Sequence, residues 1–328
     1  MSDPPLDLDR AIDFTVDWAD SFAHHGTMLT HTETSVYPPR GVGTRRRELW
    51  DSFRVHLCPH SVTHMDLPWA LDGVEPAYGT REAQELRMER YTCTQAFDAV
   101  VLDLRAKQDV LAAALGEPLL EETRPLEPLP VDRLHELICD LLITPGDIES
   151  ALEGADEAGQ ERGILEGRFV VFHTGWRERF ATGWHDLGNP GWELFHPYLV
   201  HPFLDAGTAQ WLIKAQVAGV GIDGSNLECP LYYADPLIVP RYEELQRNYW
   251  RRTVHGDELA EPAHSRLLNA HLLLVESLGI EGKALDEHYG GRRFALGRLW
   301  SFPLHIRNLR DACITRILFE PGAPHGPA

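Results

Sequence analysis

The segment Pro59-His60-Ser61-Val62-Thr63-His64-Met65-Asp66-Leu67-Pro68 carries two imidazoles and a carboxylate at positions i, i+4 and i+6. In a helix, i and i+4 share a face and i+6 falls away from it. In an extended segment every even offset points to the same side. His60, His64 and Asp66 therefore converge only on a strand, which the bracketing prolines favour by holding the residues before them extended. Two imidazoles and one carboxylate on one face make half a site for a borderline cation such as zinc or manganese. With 17 histidines in 328 residues, an H-x-x-x-H pair arises about once by chance, and a carboxylate at a fixed offset lowers that to roughly 0.1. The bland counterpart is a surface strand whose polar groups are hydrogen-bonded.

The rest of the chain can build the core that such a strand needs. Hydrophobic residues make up 43% and charged residues 24%, the balance of a globular protein with a proper interior. The formal charge of −20 repels phosphate backbones and anionic headgroups, so neither nucleic acid nor a membrane surface is an expected partner. Five scattered cysteines (Cys58, Cys93, Cys139, Cys229 and Cys313) include no C-x-x-C, which points to reduced thiols rather than a disulfide frame or a thiolate zinc site. Met1-Ser2-Asp3-Pro4-Pro5 lacks a signal-peptide pattern, and no apolar run is long enough to span a bilayer. A cytoplasmic protein is the expectation.

Residues 1–50 read as an N-terminal extension, a candidate oligomer contact, mixing short apolar pieces with Gly and Pro as in Tyr37-Pro38-Pro39-Arg40-Gly41. His24, His25 and His31 have no neighbour at ligand spacing and read as loop residues. Ala99-Val100-Val101-Leu102-Asp103-Leu104 reads as a buried strand. Thr144-Pro145-Gly146-Asp147 reads as a helix start, with Thr144 as N-cap, Pro145 at N1 and Asp147 at N3. Phe169-Val170-Val171-Phe172 is a short strand with His173-Thr174-Gly175-Trp176 at its end, where α/β proteins place site residues. Asp205 caps a helix through Ala215, which leads into a strand over Val217–Asp223, and this alternation implies mixed α/β layering. Gly219, Gly221 and Gly224 spell G-x-G-x-x-G, but Ser225-Asn226-Leu227-Glu228-Cys229-Pro230 does not open a helix, so the dinucleotide reading is rejected. Residues 229–262 form an aromatic, proline-containing excursion that reads as an inserted loop or lid. Leu272-Leu273-Leu274-Val275 runs into Glu276, a carboxylate whose burial calls for a partner such as a metal. Ile314–Phe319 reads as strand and 320–328 as a disordered tail. H-E-x-x-H, G-x-S-x-G and Walker motifs are absent.

In this order, the pieces resemble the putative cyclase family that includes kynurenine formamidase and isatin hydrolase. Its hallmark, H-x-G-T-H-x-D-x-P-x-H, reads here as His60-Ser61-Val62-Thr63-His64-Met65-Asp66-Leu67-Pro68-Trp69-Ala70. Further similarities are the strand into His173-Thr174-Gly175-Trp176, His196-Pro197-Tyr198, Gly221-Ile222-Asp223, and His264 with Glu276 twelve residues later. Together they span residues 50–319. The resemblance implies a swivelling β/α/β fold in a single domain over 51–319, a homodimer or homotetramer, and one or two divalent ions, Zn2+ or Mn2+. By position, His60, His64 and Asp66 hold one ion, and His264 and Glu276, with Asp66 bridging, hold a second. The implied chemistry is hydrolysis of an amide or related acyl group. Val62 replaces the family glycine, and Ala70 stands in place of its third histidine, where a methyl group cannot move a proton. His264 or Glu276 then becomes the candidate catalytic acid/base.

The leading expectation is a metal-dependent hydrolase of a small carbonyl substrate, with Trp69, Trp176 and Thr174 as substrate contacts and Trp184 as a further candidate wall. For each tryptophan singly, ordinary core is the competing reading, and for Thr174 it is a strand-end cap. Ala70 also admits a ring-closing or dehydrating reaction on a polyketide-like carbonyl compound, which needs mainly a Lewis acid. His64-x-Asp66 plus a distal histidine imitates the facial triad of a non-haem iron oxygenase, but leaves His60 without a role. A non-catalytic binding descendant is opposed by five retained ligand-type residues, which would be costly to bury unpaired.

Overall fold

The structure is a computed structural model that describes residues 6–15, 23–24, 28–29, 31–37, 50–56, 63–66, 94–115, 136, 139–153, 163–176, 201–224, 226–228, 262–304 and 312–322. Its strands are β1 (Ile12–Asp13), β2 (Ala23–His24), β3 (Met28–Leu29), β4 (His31–Tyr37), β5 (Trp50–His56), β6 (His64–Asp66), β7 (Gln95–Asp103), β8 (Phe169–His173), β9 (Gly219–Ile222), β10 (Leu273–Glu276), β11 (Phe294–Pro303) and β12 (Ala312–Pro321). The longer helices are α1 (Ala106–Leu115), α2 (Pro145–Ala151), α3 (Ala206–Lys214), α4 (Pro262–Asn269) and α5 (Gly282–Tyr289).

Four short apolar runs form the parallel half of the sheet. β7, β8, β9 and β10 lie side by side in sequence order, and each step between them carries helix, as parallel neighbours require a crossover. Both faces are covered, so the strands are apolar on both. Val100 and Leu102 of β7 pack with Ile148 of α2, Leu212 of α3 and Leu267 of α4. The alternate residues Ala99 and Val101 turn to the opposite face, with Phe169, Val275, Leu299 and Phe319.

The antiparallel half closes the sheet on itself. β11 pairs with β7, and β12 with β11. β6 then pairs with β10 on one side and β12 on the other, so seven strands form a barrel-like ring. β1 adds to β12 further along, Ile12 opposite Phe319, and Phe14 stacks on Phe319 with ring centroids 5.4 Å apart. Part of the segment read as an N-terminal extension thus contributes to the main sheet and its core. The pairs β2–β3 and β4–β5 form two separate hairpins.

Local sequence accounts for the helix starts. Thr144 accepts from the Asp147 amide while the Asp147 carboxylate accepts from the Thr144 amide, with Pro145 in the first turn, a reciprocal cap of two otherwise orphaned donors. Asp205 accepts from the Thr208 amide to start α3. The G-x-G of β9 has a packing cause. A Cβ at Gly219 would collide with the Phe169 ring, and one at Gly221 would lie 3.2 Å from it. Those glycines admit the neighbouring phenylalanine, and no helix opens in 226–228.

Candidate metal centre

β6 is only three residues long, yet its register assembles the site. Glu276 lies directly opposite His64, and Leu274 opposite Asp66. Directly opposed residues of an antiparallel pair share a face, and His64 and Asp66, two apart, share it too. Leu274 packs in the cluster that contains α4 residues, so the three polar side chains face the helix-covered side. There α4 brings His264 to them.

All four side chains are buried. His64 Nε2 lies 3.3 Å from Glu276 Oε2 and 3.6 Å from Asp66 Oδ1. His264 Nε2 lies 2.8 Å from Glu276 Oε1 and 3.6 Å from Asp66 Oδ2. Asp66 therefore sits between the imidazoles with one oxygen toward each. One ligand atom each from His64, Asp66 and Glu276 all fall within 4.8 Å of one another. A tetrahedral ion with bonds of about 2.0–2.2 Å holds its ligand atoms roughly 3.3–3.6 Å apart, so the separations around His64 Nε2 match a cation's coordination edges. The mixed nitrogen and oxygen set suits zinc or manganese.

Backbone geometry at the end of β10 serves the same place. Ser277, next to Glu276, adopts φ 55°, a left-handed conformation that is costly for a residue with a side chain. It is held by its amide on Gly224 O at 2.9 Å and by the Thr63 hydroxyl donating to its carbonyl at 2.7 Å. The bond from Thr63 ties β6 to β10 one residue before His64.

Electrostatics fit a cation. Burial opposes charge on His264, but Glu276, Asp66 and Glu228 outweigh it and hold the imidazole protonated well above its ordinary range. Burial likewise opposes charge on Glu276, and His264 and His64 overcome it, pulling the carboxyl well below its usual range. Burial dominates at Glu228, whose pKa is raised. Three buried carboxylates thus share the site with two described imidazoles.

Two of these neighbours were not singled out by the sequence. Glu228, between β9 and α4, is buried and accepts from the amides of Ala263 and His264. Its one signal in the sequence is a carboxylate shortly after a strand end. His201 is buried, and its Nδ1 lies 2.7 Å from the carbonyl oxygen of Pro202. A carbonyl only accepts, so Nδ1 carries the hydrogen and the neutral ring keeps its lone pair on Nε2, which has no hydrogen-bond partner. Burial pushes the His201 pKa down to about 4, against the Pro202 carbonyl and the charge of Glu276.

The other expected residues divide. Trp176 is fully buried, edge-on to His201 at 5.7 Å between ring centroids. Thr174 donates its hydroxyl hydrogen to Asp223 Oδ1 at 2.6 Å, and its amide also donates to Asp223. It therefore closes a strand end, the competing reading of this residue, and its donor is directed at Asp223. His60, Trp69, Ala70, Trp184, His196 and the 229–261 stretch lie outside the described residues. Among those described, Cys139 and Cys313 are free thiols, and no helix is long and apolar enough to cross a membrane.

The sequence profile of the family described as putative cyclase matches residues 12–228, more than half of the chain, and the protein belongs to that family. A crystal structure described as a novel cyclase superposes with a TM-score of 0.58 at 17% identity, over 95% of this chain and 86% of that one. Isatin hydrolase A from Ralstonia solanacearum gives 0.54 at 17% identity, over 97% and 98% of the two chains. Isatin hydrolase A from Labrenzia aggregata gives 0.51 at 16% identity, over 94% and 93%. At these identities the likeness is one of fold. No curated protein matches in sequence.

Proposed function

We propose that this protein is a metal-dependent hydrolase of a small amide, lactam or related acyl compound. The observation that carries the reading is the buried convergence of His64, Asp66, Glu276 and His264 from β6, β10 and α4, with separations around His64 that suit one cation. Two proteins of the same fold are named for hydrolysis of isatin, which supports the substrate class.

His64, Asp66 and Glu276 would hold the ion and His264 would complete the set, while His60, four residues before His64 in the sequence, is a further candidate ligand. When bound, the cation polarises a carbonyl and acidifies water. Asp66 and Glu276 supply the opposing negative charge, and their burial strengthens every interaction inside the site. Ala70 cannot take a proton. Among the described residues, His201 is the buried neutral imidazole with an available ring nitrogen, and it fills that role. The absence of a histidine at 70 also favours a second reading, a ring closure or dehydration of a carbonyl compound.

The test is to load the purified chain separately with zinc and manganese, count bound ions by elemental analysis, and assay isatin and simple N-formyl anilides. Metal-dependent release of the ring-opened acid or formate, lost together with the ion in His64→Ala, is expected. Ring-closed or dehydrated products from open-chain carbonyl substrates would establish the second reading instead. Retained iron with oxygen consumption would establish an oxygenase. Failure to take up any ion would leave a binding protein and overturn the hydrolase.

A further inference from the structure

Glu228 belongs to no motif of the sequence and supplies none of the clustered ligand atoms, yet its carboxylate is 1% exposed. The loop that carries it is tightly fixed. The Glu228 amide donates to Asn226 Oδ1 at 2.6 Å, and the Leu227 amide donates to Glu276 Oε1 at 2.7 Å. The same three residues therefore steady Glu276 and aim the Glu228 side chain. That side chain reaches the start of α4, where its Oε1 accepts from the main-chain amides of Ala263 and His264. First-turn amides have no partner within a helix, so Glu228 caps α4 from a distant point of the chain and anchors the backbone of His264.

The carboxylate also faces the imidazole. His264 Nδ1 lies 3.9 Å from Glu228 Oε1, while His264 Nε2 is turned toward Glu276 and Asp66. Glu228 Oε2 and His264 Nδ1 are both buried without a hydrogen-bond partner. A ring that binds a cation through Nε2 must carry its hydrogen on Nδ1, and a carboxylate beside Nδ1 fixes that choice.

We propose that Glu228 is a positioning residue for the metal centre: it anchors the backbone of His264 and holds the hydrogen of its ring on Nδ1, so that the Nε2 lone pair is presented to the ion. This rests on the metal-binding reading above. Glu228 needs no contact with the ion or with substrate, and its effect passes through His264.

Capping alone and capping with ring orientation separate in Glu228→Gln. The amide oxygen still accepts from Ala263 and His264, but the negative charge beside Nδ1 is gone. Zinc affinity, measured by competition with a chromophoric chelator, is expected to fall about 10–100-fold, while the urea midpoint of the metal-free protein stays near wild type. A zinc affinity within twofold of wild type would reduce Glu228 to a helix cap and overturn the proposal. A second measurement needs no variant: 15N NMR of zinc-loaded wild type is expected to show His264 protonated at Nδ1 and bound through Nε2. Coordination through Nδ1 would overturn the proposal while leaving the hydrolase reading intact. Wild-type protein that takes up no zinc would overturn both.

Discussion

Two buried clusters of similar chemistry stand at the ends of β8 and β10, the strands on either side of β9, and they differ in what completes them. At the end of β8, Asp223 accepts from the Thr174 amide and hydroxyl and from the Gly175 amide, at 2.6–3.0 Å, and His173 Nδ1 meets the Tyr289 hydroxyl at 2.8 Å. Neutral donors of the chain satisfy that carboxylate. At the end of β10, Asp66 and Glu276 face two imidazoles, with the third carboxylate of Glu228 behind them. One cluster closes with the protein's own hydrogen bonds, whereas the other concentrates negative charge that suits an ion. Burial of a polar residue at a strand end therefore identifies a site only once its partners are counted.

The contrast can be broken by experiment. The largest effect is expected from Glu276→Ala, which strands His264 and His64: about 3–5 kcal/mol in urea unfolding, with loss of the bound ion by elemental analysis. Equal stability of variant and wild type would mean the cluster is not the tight charge assembly described. Stripping the wild type with a chelator comes next. An ion present at 100–1,000 times its dissociation constant stabilises by about 3–4 kcal/mol, and thermal unfolding with and without chelator reads this directly. Thr174→Val should then show no additional dependence on metal.

His201 gives an effect of about 3 kcal/mol that depends on pH. Its folded pKa is depressed to about 4 from 6.5, so the unfolded chain binds the proton first as pH falls. The contribution is fully present above about pH 6.5 and is lost progressively toward pH 4. Urea unfolding of metal-free protein at pH 7.5 and 5 should show this loss in wild type and a flatter profile in His201→Phe. Matching profiles would remove His201 from the acid limb. The smallest effect is Thr174→Val, about 1–3 kcal/mol from the lost hydroxyl hydrogen bond to Asp223 Oδ1, which still accepts from the backbone amide at 174, with zinc affinity unchanged. A loss of zinc binding there would join the two clusters into one site.

What the sequence disclosed follows from the range of each interaction. The even spacing of His64 and Asp66 foretold a shared strand face, and Thr144 with Asp147 foretold a reciprocal cap, because both depend on residues a few positions apart. The descent of the chain from the putative cyclase family was legible in the order of its motifs. Glu228 was not legible as part of the site, since its role depends on two amides of a helix start that lie 35 and 36 residues further along the chain. Thr174 offered a free hydroxyl to a reader of the sequence, but Asp223, 49 residues away, takes the hydrogen. The addition of β1 to β12 likewise depends on residues about 300 positions apart, beyond any local pattern.

The three-residue β6 is the clasp of a hoop. It is made early in synthesis, and both strands that grip it, β10 and β12, come from the end of the chain. Thr63 waits for its partner Ser277 across 214 residues, on the order of 10–40 s at ribosomal speed. Throughout that interval His64 and Asp66 have neither Glu276 nor His264 beside them. The full donor set exists only once the hoop is fastened, so an ion that needs all four side chains would load only after the fold is complete.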